Sequence, residues 1–397
     1  MSQLDNRTPL ACDYTKVLKG AESCMKETTL GEEMLINMGP QHPSTHGVLN
    51  VVLRTDGEII GQIFPQLGYL HRGLEKIAEK LNYHQFMPYT DRIDYLASMN
   101  CNFAYAMTVE KLAGIEVPKR AEYIRVIMAE FNRIATHLMF FGTMGSEAGA
   151  VTPIIYGFRE REDIIDLFDM TCGQRLTYNY MRIGGVSEDL PKGFVEKARH
   201  FLDYFDGRVK EYNKLLSYNH IFIMRMAKVG VLPADLAINY GVTGPNLRGS
   251  GVKWDLRKNE PYSVYPEFDF DIPIGTGEMG TVGDAWDRYM VRMREIEQSV
   301  RIIRQALDKL PEGDFRAKVP RILKPPVGEV YVRAEKPRGE LGFYLVSDAT
   351  ASPYRLKIRT GSFSNLSALP AISRGMMISD FVMTMGSFDV VLPEIDM

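Results

Sequence analysis

The sequence predicts an α+β fold, a mainly helical bundle with small edge β-sheets. Two observations carry this. The middle of the chain is filled by long stretches whose apolar residues fall three and four apart, the period of a helix that buries one face. Short strand-like runs collect towards the two ends, bounded by Gly and Pro. The long helices point to one core. The expected organisation is a flexible extension over residues 1–30 and a single domain over 31–397.

Residues up to about Gly31 are polar and aperiodic. Strands are expected over Leu35–Met38 and Val48–Arg54. They flank the loop Gly39-Pro40-Gln41-His42-Pro43-Ser44-Thr45-His46-Gly47, where Gly and Pro rule out regular structure. A third strand fits Glu58–Phe64. A helix is expected over Lys119–Phe141, where Ile124, Ile127, Met128, Phe131, Ile134, Ala135 and Leu138 share a face between Pro118 and Gly142. Asp163–Tyr180 and Val195–Leu216 read the same way. The clearest helix is Asp284–Leu310, with Trp286, Tyr289, Met293, Ile296, Val300, Ile303, Leu307 and Leu310 on one face. Mixed charges on its other face read as a solvated surface. Past Pro311 strands return at Glu329–Val332, Leu341–Val346 and Tyr354–Ile358, and a short helix over Ile372–Met385 closes the chain.

Composition narrows the function classes. Apolar residues make up 45% and charged residues 24%, the mix of an ordinary soluble globular protein. A formal net charge of -3 argues against nucleic acid as the main partner. No run approaches the roughly 18 apolar residues of a membrane span, and the N-terminus has no signal-peptide core. Membrane association is therefore expected only through partner proteins. The cysteines, Cys12, Cys24, Cys101 and Cys172, form no C-x-x-C pair, which excludes the usual tetrathiolate spacings.

One motif is a decoy. Gly275-Thr276-Gly277-Glu278-Met279-Gly280 fits G-x-G-x-x-G, but a dinucleotide site needs a strand before it and an acidic residue closing a second strand. The segment ahead, Asp269-Phe270-Asp271-Ile272-Pro273, is a poor central strand because of its proline. Gly244–Gly251 supplies no phosphate-binding lysine. The chain is expected to bind no nucleotide itself.

Four stretches in order carry a family resemblance: Gly39–Gly47, Leu67-Gly68-Tyr69-Leu70-His71-Arg72-Gly73, Thr90-Asp91-Arg92-Ile93-Asp94-Tyr95-Leu96 and Val117-Pro118-Lys119-Arg120-Ala121-Glu122. Thr152-Pro153, Phe158-Arg159-Glu160-Arg161-Glu162, Arg182-Ile183-Gly184-Gly185-Val186 and Gly386-Ser387-Phe388-Asp389 follow. Together they resemble the D subunit, or 49 kDa subunit, family of the respiratory NADH:quinone oxidoreductase, complex I, from about residue 33 to the end. That family shares its fold with the large subunits of nickel–iron hydrogenases, which hold metal with two C-x-x-C motifs. The matching places here, around Arg92-Ile93-Asp94-Tyr95 and Phe388-Asp389, have no cysteine. Without soft thiolates nickel is not expected, and no metal site is assigned. The resemblance implies that the old metal cavity takes a quinone headgroup, menaquinone or ubiquinone, as substrate.

By resemblance, Tyr95 and His46 are the headgroup ligands. A phenol and an imidazole suit that task, since both donate hydrogen bonds and pass protons. Taken alone, Tyr95 reads as a core aromatic on a helix and His46 as a solvated loop histidine; the motif context reverses both. His42 stands at i, i+4 to His46, but Pro43 and the flanking glycines forbid the helix a metal pair needs. His42 reads first as a loop residue and second as a headgroup neighbour, and Asp389 is a further candidate contact. The family places an aspartate to orient the imidazole where this chain has Glu147, one methylene longer. Arg72 and Arg92 resemble arginines held beside the terminal iron–sulfur cluster of the partner subunit, where a fixed cation raises its potential. Thr177 stands where many relatives carry a titrating histidine. The expectation is a lower, weakly pH-dependent potential suited to menaquinone. Met397 replaces the usual C-terminal arginine.

The function so implied is a peripheral-arm subunit of a proton-translocating NADH:quinone oxidoreductase, inactive alone. It would form the quinone-reduction site with the small iron–sulfur B subunit, beside the C subunit and the membrane H subunit, with NAD bound elsewhere in the complex. Its place would be the cytoplasmic face of the inner (plasma) membrane, as a peripheral protein. The electron donor stays open between NADH, ferredoxin and a deazaflavin. Two other classes compete: a hydrogenase-type metalloenzyme, against which the missing cysteines count, and a scaffold with a decayed site, for which Glu147 and Met397 give room.

Overall fold

The computed structural model describes residues 34–41 and 47–397. Strands β1 (Met34–Met38), β2 (Asn50–Asp56) and β3 (Ile59–Gln66) form an antiparallel meander, with Met38 opposite Val51 and Leu53 opposite Ile63. On β2 the alternating Val51, Leu53 and Thr55 are buried, the period of a half-buried strand. All three lie within two residues of their expected bounds.

Helices α1 (Tyr83–Thr90) and α2 (Ser98–Ala113) follow, and neither stands out in the sequence. The reason is burial on every side. Asn100, Asn102 and Thr108 are as buried as Phe103 and Val109, so α2 shows no apolar stripe. Its amides donate internally: Asn100 Nδ2 to the Ala129 carbonyl at 3.2 Å and Asn102 Nδ2 to Thr90 Oγ1 at 2.8 Å.

Helix α3 (Lys119–Glu147) is the spine of the molecule and runs on past Gly142, its expected end. Gly142 and Gly145 are contact points with α4 (Thr152–Cys172). A Cβ at Gly142 would lie 2.7 Å from the Ile154 Cα, and one at Gly157 would lie 2.7 Å from the Leu138 carbonyl oxygen. The two helices thus pack backbone against backbone. The helix expected over Asp163–Tyr180 is corrected: it starts at Thr152 and stops before Gly173 at φ 67°. Thr177 and Asn179, at φ 55° and 47°, cannot continue it.

The two-residue pair β4 (Met181–Arg182) and β5 (Gly185–Val186) leads into α5 (Phe194–Tyr212), then α6 (Ala285–Asp308). Asp284 caps α6 by accepting from the Asp287 amide at 2.9 Å. Phe131, Ile134 and Leu138 of α3, Phe201 and Phe205 of α5 and Trp286, Tyr289, Ile296 and Ile303 of α6 form the main core. Each such side chain contributes about 1.5–3 kcal/mol by leaving water.

The charges of α6 divide: Arg301, Arg304 and Asp308 lie on the solvated face that the sequence implies, whereas Arg288, Arg292 and Glu295 are buried. Glu295 accepts from Arg248 Nε at 2.8 Å and contacts His137 Nε2 at 2.9 Å, and Arg248 reaches Glu335 at 2.8 Å. The glycine-rich decoy packs on this same helix. The segment just ahead of it, Asp269–Pro273, is not a strand. The Gly277 amide donates to Asp287 at 2.9 Å, and a Cβ at Gly275 would stand 1.9 Å from the Gly249 carbonyl oxygen. Its glycines serve close packing.

Strands β6 (Gly328–Lys336), β7 (Gly339–Ser347) and β8 (Arg355–Arg359) form a second antiparallel sheet. Lys336 pairs with Gly339 across a two-residue turn, Pro337-Arg338. This hairpin tip is inside the protein: Lys336 is 0% and Arg338 2% exposed. The last long helix, α7, is Ile378–Phe388 rather than the expected Ile372–Met385, because Gly375 at φ 80° separates it from a short turn of helix at Leu369–Ile372.

Candidate functional site

A cavity of about 480 Å³ opens where four separate parts of the chain meet. Met139, Phe140, Thr143, Ser146 and Glu147 of α3 line one side, and Tyr95 and Leu96 another. Arg338 of the β6–β7 turn, Val382 of α7 and the segment Asp389–Val391 complete it. Three residues singled out from the sequence, Tyr95, Glu147 and Asp389, therefore face one space.

Tyr95 is not the core aromatic on a helix that it resembles when taken alone. It stands in the turn before α2 and is 40% exposed, towards the cavity. The turn is held rigidly. Ser98 Oγ donates to the Tyr95 carbonyl at 3.0 Å, and Asn132 Nδ2 and Thr136 Oγ1 donate to the Leu96 carbonyl at 2.8 and 3.0 Å. Partial burial pushes the Tyr95 phenol above its ordinary range; Arg338 pulls it down while Asp94 and Asp389 push it up. The proton thus stays on the phenol, available to be given.

Behind Tyr95 lies a charged cluster that sequence reasoning missed. Asp94 accepts from Lys336 Nζ at 2.8 Å and from Arg338 Nη1 at 2.9 Å. Burial alone would raise the Asp94 carboxyl, but the two cations hold it well below the usual carboxylate range. Lys336 also donates to Glu394, and Arg338 Nη2 donates to Asp389 Oδ1 at 3.1 Å. Asp389 sits at φ 51° at the end of α7, with Arg292 Nε 3.9 Å from its other oxygen. Glu335-Lys336-Pro337-Arg338-Gly339-Glu340 falls between the expected strands Glu329–Val332 and Leu341–Val346 and carries no motif. The only cue is that so many charges flank a two-residue hairpin.

A second hollow, about 320 Å³, gathers Pro88, Arg92, Cys172, Gln174, Thr177, Tyr178, Asn179 and Arg182. Arg92 and Thr177, distant in sequence, thus share a wall. Arg72 stands beside it, donating to the Arg92 carbonyl at 3.3 Å and to the Pro393 carbonyl at 3.0 Å. Burial lowers the Arg72 guanidinium, and Asp396 pulls it back. Just behind the wall, Asp91 accepts from the Asn179 amide at 3.2 Å. Burial raises its carboxyl to about 7 against the pull of that amide and of Arg92. The hollow therefore has a titrating neighbour although Thr177 cannot titrate.

His42 and His46 lie outside the described residues. Met397 packs at the edge of the apolar cluster that contains Tyr105 and Phe343. Among the described residues no group of three or more His, Cys, Asp or Glu side chains is arranged to hold a metal ion.

Comparison with known proteins gives a consistent picture. Residues 147–397 match the family described as the respiratory-chain NADH dehydrogenase 49 kDa subunit. A protein of Anaeromyxobacter dehalogenans named as an NADH-quinone oxidoreductase D subunit is 54% identical over 365 residues, 92% of this chain and 96% of that protein. Proteins of the same name from Bacillus anthracis and Chlorobium luteolum are 53% and 52% identical, each over 92% of this chain and over 99% and 93% of their own length.

Proposed function

The chain belongs to the family of the respiratory-chain NADH dehydrogenase 49 kDa subunit, and from that membership we propose that it forms the quinone-reduction site of an NADH-quinone oxidoreductase. It acts as one component of that oxidoreductase, not alone. One observation carries the reading: Tyr95, Glu147 and Asp389, brought from three places in the sequence, line one cavity. Its volume lies within the range of small-molecule sites. Met139, Phe140, Val382, Val390 and Val391 offer apolar surface to a ring, and the Tyr95 hydroxyl offers a donor to a carbonyl oxygen.

In this reading Tyr95 donates a hydrogen bond to one quinone oxygen and passes its proton as the ring is reduced. His46 is the second ligand and His42 a lesser neighbour, and Glu147 is the carboxylate that orients the imidazole. Arg72 and Arg92 face the iron–sulfur cluster of the small partner subunit, and their closeness to each other supports a shared docking face. The cluster supplies electrons when docked. The arginines supply fixed positive charge that favours its reduced form.

The finer expectations follow as proposals. Residues 31–397 form one domain with the hydrogenase large-subunit fold, preceded by an extension. Partners are the small iron–sulfur B subunit, the C subunit and the membrane H subunit. NADH is the first donor, through NAD bound elsewhere, and menaquinone or ubiquinone the acceptor. No helix among the described residues is long and apolar enough to cross a membrane; peripheral attachment at the cytoplasmic face is proposed from the family membership.

The test is Tyr95→Phe in the assembled complex, with donor-to-cluster electron transfer followed separately. Cluster reduction should persist while quinone reduction falls by about 10²–10⁴, the contribution of a positioned proton donor. Normal rates in both would return Tyr95 to a packing role.

A further inference from the structure

We infer that Arg338 binds the oxyanion of the reduced headgroup, an inference that rests on reading the cavity as a quinone site. Arg338, 2% exposed, lines the cavity with Tyr95 and Asp389. Two residues, Asp94 and Asp389, fix it. Nε donates to the Asp389 carbonyl at 3.0 Å, Nη1 to both oxygens of Asp94 at 3.1 and 2.9 Å, and Nη2 to Asp389 Oδ1 at 3.1 Å. A guanidinium has five N–H donors, and these four contacts leave one Nη2 N–H uncommitted. The group is pre-aimed and needs no reorganisation when charge develops nearby.

The charge balance around it favours this role. Asp94 is shared with Lys336, so Arg338 is not needed to neutralise it alone. Asp389 is held more weakly: its Oδ2 has no hydrogen-bond partner, and Arg292 stands 3.9 Å away. A new anion in the cavity therefore competes with Asp389 for the Arg338 charge.

The reaction has a place for that anion. A quinone takes two electrons, supplied through the complex, and two protons to become a quinol. One proton comes from the Tyr95 hydroxyl, which is left as tyrosinate and reprotonated from water. The other oxygen remains an oxyanion against Arg338 until water delivers its proton. Arg338 keeps its own protons throughout.

The experiment is steady-state reduction of a short-chain quinone by the assembled complex, with cluster reduction measured separately, for Arg338→Gln, Arg338→Lys, Asp389→Asn and Tyr95→Phe. Arg338→Gln should lower kcat by about 100-fold or more with cluster reduction intact, and Arg338→Lys should recover part of it. Asp389→Asn removes the competitor for the developing anion and should raise kcat several-fold with little change in quinone KM. A clasp with only a structural role predicts losses in the same direction for Arg338→Gln and Asp389→Asn, and that pattern overturns the inference. If Arg338→Gln does not assemble, Asp389→Asn decides: an unchanged or lowered kcat overturns it. Wild-type behaviour of the Arg338 and Asp389 variants beside a collapsed Tyr95→Phe sinks the inference and leaves the quinone site standing. Intact quinone reduction in all the variants removes both.

Discussion

Replacing Gly142 by alanine should destabilise this chain, although alanine is the better helix former. Inside a helix alanine gains about 1 kcal/mol over glycine. At Gly142 the added Cβ would lie 2.7 Å from the Ile154 Cα, and a backbone atom cannot rotate away as a flexible side chain can. Reaching ordinary contact requires α3 and α4 to part by about 0.7 Å. Overpacking of this kind costs about 1–3 kcal/mol, so the net loss should be up to about 2 kcal/mol. Gly207 in α5 is the control. A Cβ there meets nothing within 4 Å, so Gly207→Ala should stabilise by about 0.5–1 kcal/mol. Protease susceptibility of the chain within the assembled complex, measured across urea concentration, reads both. Quinone KM should also shift in Gly142→Ala, because Met139, Phe140, Thr143, Ser146 and Glu147 of α3 line the cavity. If Gly142→Ala gains stability as Gly207→Ala does, the close helix contact is wrong.

Other outcomes follow from the buried charges. Asp91 is a carboxyl raised to about 7, so the stability it contributes is fully present below about pH 4 and is lost as pH rises through 7, a swing on the order of 4 kcal/mol. Asp91→Asn should therefore gain on the wild type between about pH 5 and pH 8 in urea unfolding; a pH-independent difference would refute the assignment. Any neutral-range slope in the partner cluster's potential should vanish in the same variant, since Thr177 cannot titrate, and a redox titration of the complex checks it. Glu295→Gln leaves Arg248 and His137 without their shared carboxylate and should cost about 3–5 kcal/mol, read from the urea midpoint.

Much of the site is legible in the chain itself. Tyr95, Glu147 and Asp389 are found by motif, and the structure brings them to one cavity. Arg92 and Thr177 likewise meet at one hollow. The electrostatic setting of those residues is not legible. Asp94, Lys336, Arg338 and Arg292 belong to stretches whose charges, taken alone, imply solvent. Lys336-Pro337-Arg338-Gly339 lies between two expected strands, and nothing in its sequence says that it is buried against Asp94, Asp389 and Glu394.

What the sequence determined by itself is local. Helix period along α6, strand alternation on β2 and proline at the start of α3 all act through neighbours a few residues away. Only the tertiary structure decided which glycines end helices and which let helices touch: Gly173 ends α4, whereas Gly142 lies inside α3 against Ile154. It also decided which charges lie inside. The hairpin tip carries its charges inward because Asp94, from a distant segment, pairs with them, and no local pattern encodes a partner over two hundred residues away.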